Sequence, residues 1–249
     1  ELSSIALKYQ VGLHVDCCLG GFILPFAKRM GYSGIPEFDF SLPGVTSMSL
    51  DTHKYGNAAK GSSVVLYRDK DLRRAQYFCY ADWTGGLYAT PTLAGSRSGG
   101  VVASCWASLI ALGEAGFRSQ TRTILDASRR IAREIEKVRG LVLLGTPQAT
   151  VVCFTSYDFN IYTFGDFMSK RGWSLNSLQN PACIHICVTL NTAKAIDNFL
   201  NDLVEVAALM GGLQMKATGN AAIYGMAASL PPGPINELLK AYNDVMLTA

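Results

Sequence analysis

Two short apolar runs, residues 45–50 and 64–67, bracket a polar stretch in which His53 and Lys54 stand side by side. Each run has the length of a buried strand and falls short of a core helix. The connection reads Asp51-Thr52-His53-Lys54-Tyr55-Gly56 and closes on Lys60-Gly61-Ser62-Ser63. A lysine at the end of a core strand is expected to be partly desolvated. Desolvation lowers its pKa and leaves a neutral amine, the form that attacks a carbonyl. On spacing alone, a solvated His-Lys pair is the commoner arrangement. The choice therefore rests on what the remaining chain places beside the pair.

An earlier apolar run, residues 11–16, stops at the carboxylate of Asp16. Cys17-Cys18-Leu19-Gly20-Gly21 follows, with glycines that permit a tight bend, and residues 22–30 read as a short helix with Pro25 in its first turn. In open α/β sheets, ligands gather at the carboxyl ends of strands, so Asp16 stands where chemistry belongs. Beyond the strand expected at residues 77–80, residues 82–91 contain Asp82-Trp83, Gly85-Gly86 and Tyr88. That segment is too long and glycine-rich for a plain connector, so a functional loop is expected. Gly95-Ser96-Arg97-Ser98-Gly99-Gly100 then leads into a helix expected at 101–113. The glycines and serines there make either an anion site at a helix N-terminus or ordinary caps from Ser96 or Ser98, and Arg97 favours the anion.

Residues 69–71 read as a turn and residues 120–138 as a long charged helix. After Arg139-Gly140 the pattern changes. Strands at 141–144, 151–156 and 184–190 alternate with helices at 161–171 and 193–209, and a final helix covers 235–246. The fold class is α/β, with one domain over residues 1–138 and a compact αβ domain over 139–249. Because 49% of residues are apolar and only 16% charged, a sizeable core is expected. The net charge of +3 is not clustered. Arg129, Arg130 and Arg133 are interleaved with Asp126, Glu134 and Glu136, which describes a solvated helix face and not a nucleic-acid surface. No run is expected to reach membrane-spanning length, and the longest, residues 101–112, reads as a buried or half-buried helix.

Seven cysteines, with Cys17 and Cys18 adjacent, argue for free thiols in a reducing compartment. Cys183-Ile184-His185-Ile186-Cys187 reads as a core strand. Side chains two apart on a strand sit ~6.6 Å apart along the chain, so three of them do not converge on a metal ion. The chain opens at Glu1, inside a helix expected over residues 2–9 with no cap before it, so a piece of a longer polypeptide is expected.

Asp16, Lys54 and the 95–100 segment together match three handles of pyridoxal phosphate. Its aldehyde takes an amine, its ring nitrogen needs a carboxylate to stay protonated, and its phosphate needs N–H and hydroxyl donors. Neither Gly-x-Gly-x-x-Gly after a strand nor a Walker loop is present. His14-Val15-Asp16 with Gly20-Gly21-Phe22, followed by His53-Lys54, resembles the fold-type I pyridoxal-phosphate enzymes, in their group II decarboxylase branch. Within it, Asp51-Thr52-His53-Lys54-Tyr55-Gly56 with Lys60-Gly61-Ser62-Ser63-Val64 is similar to the sphingosine-1-phosphate lyases. So are Asp82-Trp83, Gly85-Gly86, Tyr88, Pro91-Thr92, Gly95-Ser96-Arg97 and Ala222-Ile223-Tyr224-Gly225-Met226-Ala227. These elements favour that group over bacterial-type glutamate decarboxylases, which share the Asp and His-Lys features. The sequence departs from the lyase pattern at Asn57, where an aromatic residue is usual, at Ala59, where proline is usual, and at Ala221, where glycine is usual.

The resemblance implies the second half of a fold-type I large domain plus a small C-terminal α/β domain. It implies a Schiff-base lysine at Lys54, a ring-nitrogen partner at Asp16, Cys18 against the ring and His53 near the cofactor phosphate. It also implies Gly95 and Ser96 reaching the cofactor phosphate across a homodimer interface, with the active site shared between subunits. Tyr88 and Lys60 are the implied residues for proton transfer and substrate-phosphate contact, in either order; taken alone, Tyr88 also reads as a packed loop aromatic and Cys18 as a buried thiol. The implied reaction cleaves a phosphorylated sphingoid base to a long-chain aldehyde and phosphoethanolamine. The rivals are an amino-acid decarboxylase and a non-catalytic fragment. Family members reside at the endoplasmic reticulum membrane, facing the cytosol, through an N-terminal anchor. That anchor, a glycine-rich phosphate loop and the aromatic residue that stacks on the cofactor belong to a portion these residues do not contain.

Overall fold

The structure, a computed structural model, describes residues 1–211 and 219–248. They form two compact units, Glu1–Arg122 and Thr123–Ala249. The division falls inside a helix, where the sequence reading places a boundary near residue 138.

In the first unit, helix α1 (Leu2–Tyr9) ends where Gln10 turns left-handed, with φ 53°. Strand β1 (His14–Asp16) pairs in parallel with β2 (Ser47–Leu50), which pairs antiparallel with β3 (Val64–Tyr67). A parallel pair needs a crossover. A 3-10 turn at Gly20–Phe22 and helix α2 (Leu24–Arg29), with Pro25 in its first turn, supply it. The Arg68 guanidinium gathers the return loop by donating to the carbonyls of Val45 (2.6 Å), Leu42 (2.5 Å) and Phe40 (3.1 Å). Cys17, Val45 and Met48 form a small core, packed by Leu13, Val15, Phe38, Phe40, Leu42 and Leu50.

The turn expected at residues 69–71 opens helix α3 (Lys70–Arg74). The Asp69 carboxylate accepts from the N–H groups of Asp71 and Leu72, both at 2.9 Å, and so nucleates it. Strands β4 (Phe78–Tyr80) and β5 (Tyr88–Thr90) then pair antiparallel around the glycine-rich segment. The two helices expected at 101–113 and 120–138 form a single stretch, α4 (Gly99–Ile135), interrupted at Gly113 by φ 55° and ψ −176°. By length and composition alone, α4 is long and apolar enough to cross a membrane, contrary to the sequence expectation. The break leaves its apolar first half short of the ~20 helical residues that a span needs. Residues 101–112 are at most half-buried: residues 101, 104, 105, 108, 109 and 112 are partly covered, while Val102, Trp106 and Ile110 are exposed, Trp106 at 66%.

The second unit is an antiparallel sheet with helices. Strands β6 (Val142–Leu144), β7 (Val151–Thr155), β8 (Asn176–Leu178) and β9 (Cys183–Cys187) run in the order β6-β7-β9-β8. Strand β8 was not anticipated, because three residues carry too little pattern. Helix α5 (Ile161–Lys170) starts on Asn160, whose side chain accepts from the N–H groups of Tyr162 and Thr163, both at 3.0 Å. The helix expected at 193–209 is two, α6 (Leu190–Lys194) and α7 (Ile196–Met210), separated at Ala195. Helices α8 (Gly219–Ser229) and α9 (Pro232–Leu247) complete the chain. Phe154, Phe164, Phe199, Ile184 and Leu203 are fully enclosed. Each contributes about 1.5–3 kcal/mol of burial.

Candidate active site

The site grows from the carboxyl ends of β1 and β2. Their register sets Asp16 directly opposite Ser49 and His14 directly opposite Ser47. The chains stay together past the strands. Cys17 N–H donates to the Ser49 carbonyl at 2.9 Å, and Asp51 N–H to the Cys18 carbonyl at 3.3 Å. Asp16 Oδ1 accepts two bonds, from Cys18 N–H at 2.9 Å and from the Ser49 hydroxyl at 3.0 Å. Those donors, led by the Cys18 backbone, hold the carboxyl below its ordinary range, and Lys54 adds a smaller attraction.

Lys54 follows in a compact turn. Its N–H donates to the Asp51 carbonyl at 3.2 Å, and Ala58 N–H donates to the Thr52 carbonyl at 3.0 Å. Gly56 is required there, because a Cβ would lie 2.4 Å from the Thr52 oxygen. Asn57, left-handed at φ 56°, donates to Gln120 Oε1 at 2.6 Å, and the Gln120 amide donates to the Tyr55 carbonyl at 2.8 Å. Buried Gln120 thus anchors the turn from α4. The Asn57 that departs from the family pattern is the residue that makes this anchor.

The Lys54 ammonium lies 2.9 Å from Asp51 Oδ2, with the two side chains 34% and 18% exposed. Asp51 first, and then Cys18, raise its pKa. This reverses the expectation of a desolvated, weakly basic amine. Burial is slight and a carboxylate is in contact, so the charged form is favoured. Asp51 is itself held below its ordinary range, first by the Ser63 hydroxyl at 2.7 Å and then by Lys54. The His53 ring donates from Nδ1 to the Ser62 carbonyl at 2.9 Å, since a carbonyl can only accept. Its Nε2 faces Asp51 Oδ2 at 3.9 Å.

Cys18 sits between Asp16 and Lys54 and interacts with both. The structure therefore joins Asp16, Cys18, His53 and Lys54 in one cluster and adds Ser49, Asp51 and Ser63, whose roles the sequence reading missed. Alternation was the available signal, since residues 14, 16, 47 and 49 share a sheet face once β1 and β2 are paired. Tyr88 stands apart with Phe78, Tyr80 and Trp83, which together line a hollow of about 290 Å³. Its ring meets the Trp83 edge at 6.0 Å, and its hydroxyl lies 3.0 Å from where a Gly95 Cβ would stand. Two expected site residues, Tyr88 and Gly95, are thus neighbours. Lys60, Gly95 and Ser96 are exposed. Among the described residues, no hydrogen bond or ion pair joins Lys60, Tyr88, Gly95 or Ser96 to the Lys54 cluster, and no side-chain cap from Ser96 or Ser98 closes the start of α4. A larger hollow, about 1320 Å³, lies within the second unit and is lined by three cations, of which Arg130 and Lys137 pair with Asp197 and Glu134.

The family model of the pyridoxal-dependent decarboxylase conserved domain matches residues 1–157. The chain belongs to this family. It is similar to sphingosine-1-phosphate lyase of Arabidopsis thaliana, 46% identical over 98% of the chain, and to sphingosine-1-phosphate lyase 1 of Rattus norvegicus, also 46% over 98%. It spans 45% and 44% of their lengths. Among solved structures it is similar to the sphingosine-1-phosphate lyase of Burkholderia pseudomallei, with a TM-score of 0.86 and 38% identity over all of this chain and 52% of that one. Glutamate decarboxylase of Lactobacillus brevis shares the fold, with a TM-score of 0.70 and 22% identity over 86% of the chain and 52% of that one. The α/β architecture is thus that of the pyridoxal-phosphate enzymes.

The residues fit that cofactor at two of its handles. Lys54 offers a primary amine, and Asp16 an anionic carboxylate with one oxygen already fixed by two donors.

Proposed function

We propose that the full-length protein is a pyridoxal-phosphate-dependent carbon–carbon lyase that cleaves a phosphorylated long-chain base to a long-chain aldehyde and phosphoethanolamine. The observation that carries this reading is the Asp16–Cys18–Asp51–Lys54 cluster, set in a chain 46% identical to sphingosine-1-phosphate lyases over nearly all its length. When bound, the cofactor supplies an electron sink for the bond that breaks.

This chain's residues do the remaining work. The Lys54 amine, its proton given to Asp51 or to water, would hold the cofactor at its aldehyde end. Asp16 stays anionic and holds a proton on the ring nitrogen. Cys18, as a small side chain, would pack against the ring, and His53 would lie towards the cofactor phosphate. Gly95 and Ser96 reach the phosphate bound by the other subunit of a homodimer. We assign the proton of the substrate hydroxyl to Tyr88, whose phenol is seated by Phe78, Trp83 and Gly95. Lys60, an exposed point charge, takes the substrate phosphate. The full-length protein works at the endoplasmic reticulum membrane on its cytosolic side.

Borohydride reduction of the full-length protein with pyridoxal phosphate, followed by peptide mapping, tests the cofactor step. An adduct on Lys54 is expected, and its absence overturns the assignment. Because the matching family model is that of a decarboxylase, product analysis decides the reaction. A long-chain aldehyde with phosphoethanolamine supports the lyase. Carbon dioxide released from an amino acid, with no aldehyde, replaces it with a decarboxylase.

A further inference from the structure

The sheet face that carries Asp16 also carries a hydrogen-bonded row that the reaction above leaves unused. His14 Nδ1 lies 2.8 Å from the Ser47 hydroxyl, His14 Nε2 lies 3.2 Å from the Ser49 hydroxyl, and that hydroxyl donates to Asp16 Oδ1 at 3.0 Å. Opposed register and the period of two place all four residues on one face.

Valence fixes the direction of the row. Ser49 has one hydroxyl proton, and the Asp16 carboxylate can only accept it. Ser49 Oγ must then accept from His14, so Nε2 carries a hydrogen. A neutral imidazole has a single N–H, so Nδ1 accepts from Ser47. All three bonds point one way, from Ser47 through His14 and Ser49 to Asp16, and aligned bonds of this kind polarise one another. The other groups facing Asp16 are Cys18 from the turn and Lys54 from the loop. Tyr67, opposite Ser47 on β3, commits its hydroxyl to Gln76.

Resting on the reading of Asp16 as the carboxylate that meets the ring nitrogen, we propose that His14 is a positioning residue. Held by Ser47 as the Nε2–H tautomer, it turns the Ser49 hydroxyl onto Asp16 and so commits Oδ1 to the sheet. Without His14, the Ser49 hydroxyl is free to rotate away. Without Ser49, Asp16 keeps only its bonds from Cys18, and its carboxylate plane loosens.

Two measurements on the full-length protein test this. Imidazole nitrogen shifts, recorded without added cofactor and assigned to His14 by comparison with His14→Gln, should show the Nε2–H tautomer. The Nδ1–H tautomer overturns the proposal. The second measurement is the dissociation constant and absorbance band of pyridoxal phosphate. Ser49→Ala should weaken binding about tenfold, the worth of one hydrogen bond to a charged group. His14→Phe should weaken it ~3-fold, the worth of one ordinary hydrogen bond. His14→Gln, whose amide nitrogen stands where Nε2 stood, should restore both readouts, whereas His14→Asn, which reaches only towards Ser47, should not. Equal behaviour of the Phe, Gln and Asn variants would mean that His14 merely fills space. Asp16→Asn separates the two layers of the argument. If it leaves the absorbance band unmoved, the role given to Asp16 is wrong. If it moves the band while the Ser49 and His14 variants do not, only the relay is wrong.

Discussion

The larger sheet of each unit follows the same alternation, and the two use it for opposite ends. In the second unit, β7 and β9 bury Val152, Phe154, Ile184 and Ile186 at every other position, and helices α5 and α7 add Phe164, Phe199 and Leu203. In the first unit, Met48 is the one buried residue among the described strand positions of β1 to β3, and one face presents His14, Asp16, Ser47 and Ser49. A strand whose alternate positions are apolar builds a core. A strand whose alternate positions are polar and bonded to one another holds groups in place for chemistry. The first arrangement yields stability, the second yields geometry, and substitutions in the two units should fail in different ways.

The largest effect should come from the first unit with almost no cost in stability. Lys54→Ala removes the one amine that acts on Asp16 among the described residues and should lower product formation by about 10⁴-fold or more, as losing a covalent group does. Its ion pair is partly exposed, so the unfolding midpoint should shift by under ~1 kcal/mol equivalent. A large loss of stability would break the contrast between the units. Phe164→Ala is the counterpart. Phe164 is fully enclosed and meets Phe154 edge-on at 6.1 Å. Its removal should cost about 3–5 kcal/mol in denaturant unfolding. The folded fraction should still give the borohydride adduct on Lys54, and loss of that adduct at full folding would show that the core serves the chemistry directly.

The sequence showed these two units unequally. In the second unit, β7 and α5 were legible because residues 151–155 and 161–170 carry strong periodic patterns, while β8 and the break at Ala195 were not. In the first unit the positions of Asp16 and Lys54 were legible from strand ends and from family resemblance. The protonation of Lys54 was not. Desolvation was argued from one strand end, but what decides is Asp51, three residues back and 2.9 Å away, a contact set by the turn at Gly56 and its anchor to Gln120. The row from Ser47 to Asp16 was equally hidden, because it exists only once β1 and β2 are paired in register. Asp69 misled for a local reason, since a residue that favours turns is also a helix cap.

A smaller effect should separate geometry from stability within the first unit. Gly95 is exposed, and a methyl group there would stand 3.0 Å from the Tyr88 hydroxyl. Gly95→Ala should leave unfolding unchanged within ~0.5 kcal/mol. If Tyr88 moves the substrate proton, displacing its hydroxyl by a few tenths of an ångström should lower kcat/KM about tenfold, since small misplacements at a reacting centre are expensive. An unchanged kcat/KM would return Tyr88 to the role of a packed aromatic in the Phe78–Trp83 cluster.

The smallest effect concerns Lys54 and Asp51, and its sign distinguishes a structural pair from a chemical one. The pKa of Lys54 is raised in the fold, so its share of stability is complete below the unfolded value near ~10.4 and fades as pH rises through the folded value. That of Asp51 is lowered, so its share is complete above the unfolded value near ~3.9 and fades as pH falls through the folded one. Both shares persist across neutral pH, and exposure keeps the pair below ~1 kcal/mol. Asp51→Asn should therefore cost little stability at pH 7, and the difference from wild type should shrink in acid. It should also release the amine. With its carboxylate partner gone, a larger fraction of Lys54 is neutral at pH 8–9, and reductive methylation of that residue, followed by peptide mapping, should run ~3-fold faster. A slower reaction would mean that Asp51 works as the base that takes the ammonium proton, and that its carboxylate prepares the lysine instead of restraining it.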